Sequence, residues 1–163
     1  MSGNMTLEER IKADLNVSLK QGDKGKVSIL RMILSAIKNK KIEEGSDVLA
    51  DAGVIGIMQK MARQHKESIE QFSRAGRNDL VDKEAEELKA LESYLPEALA
   101  GDELDRIISD AIAGKGATSI RDMGIVMRVV MDKTAGRADG KVVSEKVREA
   151  LNAQEGGENG KNV

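Results

Sequence analysis

Three features predict an all-α protein, an N-terminal multihelical array followed by a C-terminal three-helix bundle. The chain leans on Ala, Leu, Met, Glu and Lys, which are good helix formers. It has 8 Met, one Phe, one Tyr and no Trp, where a β-sandwich or barrel draws on many aromatic and β-branched residues. Apolar residues also recur at steps of three and four in one segment after another.

Thr6 is placed to cap a first helix, with Glu9 at capping-box spacing. Leu7, Ile11, Leu15 and Leu19 follow as its stripe, supported by Val17. Gly22 and Gly25 loosen the chain. A second helix is expected over 26–42, with Val27, Leu30, Ile33, Leu34 and Ile37 on one side, widened by Ile29 and Ala36. A linker with Gly45 leads to Asp51, read as the cap of a third helix over 52–75. Its stripe is Ile55, Met58, Met61/Ala62, His65, Ile69 and Phe72. Gly76 sits where a helix ends in a left-handed residue, and Asn78 or Asp79 is placed to cap the next helix. The join is therefore about three residues and the two helices form a tight αα-hairpin. The fourth helix, about 79–94, shows Val81, Ala85, Leu88, Leu91 and Leu95 on one side and Asp82, Glu84, Glu86, Glu87 and Glu92 on the other. Pro96 stops it, because proline disfavours helix for the residue before it.

The first domain is thus read as 1–97 and the second as 98–153, with 154–163 a disordered tail almost devoid of apolar residues. In the second domain Asp102 is read as a cap, followed by Leu104, Ile107, Ile108, Ala111 and Ile112. Gly114 to Gly116 breaks that helix. Ser119, with Asp122 three residues on, caps the next, where Ile120, Met123, Val126/Met127 and Val130/Met131 face inward. Gly124 inside it signals close approach by a neighbour or a ligand. Gly136 ends it, and Asp139-Gly140 opens a last helix burying Val143, Val147, Ala150 and Leu151.

Composition narrows the function. Without cysteine there is no thiol nucleophile, disulfide or Cys-ligated zinc, which fits a cytoplasmic protein. No signal-peptide h-region is apparent at the N-terminus. No apolar run approaches the roughly 20 residues of a membrane helix, so no membrane partner is expected. There is no Gly-x-x-x-x-Gly-Lys-[Ser/Thr] motif, and Gly136–Lys141 (GRADGK) has the wrong spacing for one. The serines lack a paired base. No catalytic residue, cofactor or metal site is assigned. His65, the only histidine, lies in an apolar stripe with no second histidine or nucleophile, and reads as a packed, hydrogen-bonded residue.

The net charge is only −2, but it is segregated. Residues 20–41 hold seven Lys/Arg against Asp23 alone, and 79–97 hold seven Asp/Glu against two Lys. On the second helix Lys24, Arg31 and Lys38 share the side opposite the apolar stripe, either a solvated face or a phosphate-binding ridge. Arg77 sits in the hairpin corner. In the second domain Arg121, Arg128, Arg137 and Lys141 belong to a basic cluster, several at loop or helix-start positions where backbone N–H groups also point outward. With no aromatic residues to stack on bases, recognition of a folded RNA by shape is the nucleic-acid mode that remains.

Residues 30–43 (LRMILSAIKNKKIE), 65–99 and 118–151 carry the motifs AGR-x-DL, YLP, DMG-x-VM and GRADGK-x-V. Together they resemble the YqeY-like proteins of the GatB/YqeY family, over about residues 6 to 152. One departure is His65, where a residue more like Arg or Lys is expected. The resemblance implies a two-domain helical fold related to the tail of the B subunit of glutamyl/aspartyl-tRNA amidotransferase, which holds the tRNA. Three expectations follow. The first is a module binding tRNA or a tRNA-handling protein, with Lys38, Arg77, Arg121, Arg128, Arg137 and Lys141 as phosphate contacts. The second is an amidotransferase component, a carbon–nitrogen ligase with glutamine as amido donor. The third is a protein-interaction adaptor docking through the acidic helix 79–97.

Overall fold

The computed structural model describes residues 3–158. Among them are seven α-helices and one 3-10 turn, with no strand. The chain falls into two compact units, Met1–Leu95 and Pro96–Val163, and each has its own apolar core.

In the first unit α1 spans Leu7–Gln21, α2 Lys24–Glu44, α3 Asp51–Arg74 and α4 Asn78–Glu92. The capping box forms: the Thr6 hydroxyl accepts from the Glu9 amide, and the Glu9 carboxylate accepts from the Thr6 amide. Leu19 and Val17, expected in the buried stripe, are about half exposed. Steps of four overshoot a full turn by about 40°, so the stripe rotates off the core by Leu19. Ser18, seven residues after Ile11, is buried instead. The second helix is longer than expected because Asp23 accepts from the Lys26 amide and caps it early. Asp51 is not the cap of α3; Ala50 holds that position. The Asp51 carboxylate accepts from the Leu7 amide at 3.0 Å and ties the start of α1 to the start of α3. Ile11, Ile29, Leu30, Ile33, Ile37, Val54, Met58, Ala62, Leu91 and Tyr94 fill the core. Each such aliphatic side chain contributes roughly 1.5–3 kcal/mol through burial.

The second unit holds α5 (Gly101–Lys115), a 3-10 turn (Ile120–Asp122), α6 (Met123–Thr134) and α7 (Gly140–Glu158). Ala100, not Asp102, is the N-cap of α5; Asp102 lies in the first turn with Glu103, where an acid complements the helix dipole. Ser119 and Asp122 make their capping box, but around the 3-10 turn that precedes α6. Ile120, expected to face inward, is 37% exposed for that reason. A side chain built on Gly124 would meet nothing within 4 Å, so no neighbour approaches it closely. Residues 154–158, read as tail, continue α7, and 159–163 lie outside the described residues. Leu104, Ile108, Ala111, Ile112, Val126, Val130, Val143, Val147 and Leu151 form the core of this three-helix bundle, with Ala117.

Candidate functional site

The six expected phosphate-binding residues divide into two groups. Two are already engaged. Arg77 takes the N-cap position of α4, and its guanidinium grips Asp79 through Nε at 3.2 Å and Nη2 at 3.0 Å. That pairing holds the Asp79 carboxyl below its ordinary range and raises Arg77 further. Arg137 donates from Nε to the Glu97 carbonyl at 3.0 Å, and its own carbonyl accepts from the Leu99 amide. It therefore anchors the segment entering α5.

The others are open. Lys38 is exposed on α2 beside a shallow groove also lined by Lys41 and Ser46. Lys41 itself is held by Glu8 at 2.7 Å, and with Lys12 it pulls the Glu8 carboxyl down, Lys12 contributing most. Arg121, Arg128 and Lys141 are exposed in the second unit and have no side-chain partner among the described residues. Two acids near them in sequence accept from backbone amides. Asp122 accepts from the Thr118 and Ser119 amides, and Asp139 accepts from the Lys141 amide. Arg121 lies in the 3-10 turn that leads into α6, and Arg128 lies within α6. Gly124 and Ile125 lie between them, also exposed.

A different constellation lies inside the α3–α4 hairpin. His65 and Glu87 are 7% and 5% exposed, and Glu84 is half-buried. His65 Nδ1 is 2.5 Å from Glu84 Oε2 and 3.8 Å from Glu87 Oε2. One donor atom from each of the three lies within 4.8 Å of the other two. This corrects the uniformly solvated acidic side expected for the fourth helix. The acidic face shrinks further because Asp79 is taken by Arg77 and Glu92 pairs with Lys66 at 3.3 Å.

A helical wheel carries the signal that would have found the cluster. At about 100° per residue, Glu84 falls inside the arc defined by Val81, Leu88 and Leu91, and Glu87 lies beside Leu80. Ala85, expected in the stripe, points away and is exposed. His65 is buried and hydrogen-bonded, the state expected of a histidine in an apolar stripe; its hydrogen-bond partner is the Glu84 carboxylate, with Glu87 farther off at 3.8 Å.

Fold and site together define an all-helical, two-unit protein with exposed cations in its C-terminal unit. The Yqey-like protein profile matches residues 8–151. The chain belongs to the YqeY-like protein family.

The chain is similar to curated proteins that carry the name "Altered inheritance of mitochondria protein 41, mitochondrial". The Pyrenophora tritici-repentis protein is 31% identical over 148 residues, 89% of this chain and 81% of the relative. The Kluyveromyces lactis protein is 37% identical over 84 residues, 52% of this chain and 45% of the relative. The Saccharomyces cerevisiae (strain YJM789) protein is 33% identical over 95 residues, 58% and 51% of the two chains. The match thus spans about half the length of the two yeast relatives.

These names overturn the expected cytoplasmic location. The relatives are designated mitochondrial, and a cysteine-free composition does not distinguish the cytosol from other compartments. Among the described residues no helix is long and apolar enough to cross a membrane.

Proposed function

We propose that this protein is an RNA-holding module of the tRNA class, gripping a folded RNA by its phosphates through the C-terminal unit. The observation that carries this reading is the set of open cations, Arg121, Arg128 and Lys141, beside acids whose oxygens cap the backbone. Phosphate contacts come mainly from such side chains together with backbone amides. The mild net charge of −2 means that the attraction is local to these cations. The resemblance to the tRNA-holding tail of the amidotransferase B subunit supplies the RNA class. Lys38 is a secondary candidate in the first unit. Arg77 and Arg137 are released from the contact set, because both are occupied within the fold.

A gel-shift titration of purified tRNA against the full chain at several salt concentrations tests this. Three phosphate contacts give a log–log salt slope of about −2 to −3. Arg121→Ala and Arg128→Ala should each reduce the slope by roughly one contact, while Arg77→Ala should leave it unchanged. No tRNA affinity at low salt sinks the reading.

A further inference from the structure

The His65, Glu84 and Glu87 cluster includes none of these cations, and an inference from it does not rest on the RNA reading. We propose that these three residues bind a divalent transition-metal ion, zinc being the ion their donor set suits best.

The donor types point there first. One imidazole nitrogen and two carboxylate oxygens, completed by water, make a set that zinc and its first-row neighbours accept. Calcium requires six or more oxygen ligands, and magnesium keeps to oxygen ligands and several waters. A nitrogen donor in a three-ligand site favours neither.

Geometry agrees. Donors at about 2.0–2.2 Å from a tetrahedral ion lie roughly 3.4 Å from one another. The two ring-to-carboxylate distances, 2.5 and 3.8 Å, bracket that value. Admitting an ion widens the shorter gap and narrows the longer one by less than about 1 Å, within the soft terminal torsion of a glutamate. Glu84 and Glu87 stand three apart on α4, so both present to the same side. His65 faces them from α3. All three donors ride on regular helices rather than loops, which favours a fixed coordination geometry.

Charge completes the case. Two carboxylates are drawn into the hairpin, one of them 5% exposed, and a buried carboxylate is costly unless it is neutralised. A protonated imidazole offsets one of the two. A divalent ion offsets both and leaves the imidazole neutral, which is the form that ligates.

The test uses the full chain without a polyhistidine tag. Isothermal titration with zinc chloride should show one saturable site per chain. Zinc at about a hundred times its dissociation constant should raise the melting temperature by roughly 5–15 °C. Magnesium at the same concentration should produce no shift. Glu87→Gln should weaken zinc binding at least about tenfold, in line with the loss of one ligand. His65→Lys supplies a positive charge to the carboxylates without a ring nitrogen, so it should fold and lose the zinc effect. As the chain has a single histidine, its ring-nitrogen resonances read the site directly, and zinc should shift Nδ1. Absence of one-to-one zinc binding overturns the proposal. So does zinc binding that survives unchanged in a folded His65→Lys variant, or that leaves the ring resonances unmoved.

Discussion

Tyr94, just beyond the end of α4, ties that end of the first unit to α1. It is 6% exposed, its hydroxyl donates to Asp14 eighty positions away, and the Arg10 guanidinium lies 5.2 Å from its ring centroid. Burial, then the hydrogen bond to Asp14, pushes its ionisation well above the ordinary 10.0. A raised folded value means that the folded state keeps the proton longer. The associated stability is complete below pH 10.0 and is lost as pH climbs toward the folded value. Since Tyr94 is the only tyrosine, tyrosinate absorbance isolates it. In urea it should ionise near pH 10.0, and in the native chain only well above that. Tyr94→Phe should cost about 1.5–3 kcal/mol in urea unfolding, the range for a hydrogen bond to a charged group, and should reduce the alkaline loss of stability. At this scale the local signals were legible: Thr6 with Glu9 and Ser119 with Asp122 announce their caps by spacing alone. The Tyr94–Asp14 contact was not, because nothing in the local pattern of either residue encodes its distant partner. Glu84 and Glu87 were misplaced because residue type, rather than angular position, decided their side of the helix.

At the scale of elements, the α3–α4 hairpin shows why positions of helices were easier to read than their ends. The apolar stripes located every helix, but boundaries depend on which group caps first, as Asp23 and Ala50 show. Gly76 was legible because few residues accept its conformation. Its φ is +70°, and the Arg77 amide closes the corner by donating to the Phe72 carbonyl at 2.9 Å. Gly56, inside α3, has no such role and open space around it. The two glycines should therefore respond oppositely to alanine. Gly76→Ala should lower stability by about 1–2 kcal/mol, the cost of a left-handed L-residue. Gly56→Ala should raise it by about 0.8–1 kcal/mol through helix propensity. Chemical denaturation of the two variants beside the parent chain checks both signs.

At the scale of the molecule, two closed cores imply two folding units. The second is near the lower size limit for independent stability, yet Val126, Val130, Val143, Val147 and Leu151 are fully buried within it. A chain beginning at Pro96 should retain helical circular dichroism and melt cooperatively. If the RNA reading holds, it should also keep most of the tRNA affinity, because Arg121, Arg128 and Lys141 all lie in it. Loss of cooperative melting would show that the second core needs the first. The fold class was legible at this scale because periodicity and composition agree along the whole chain. Which cations stay open was not, since that depends on where Asp79, Asp122 and Asp139 spend their oxygens.

The cores also differ in how light reports on them. Both aromatic side chains, Phe72 and Tyr94, belong to the first unit, and the second closes without a ring. Near-ultraviolet dichroism of the tyrosine band therefore follows the first unit alone, while the far-ultraviolet helix signal sums both. Subtracting one normalised melting curve from the other yields the second unit's own transition from unlabelled, unmodified protein.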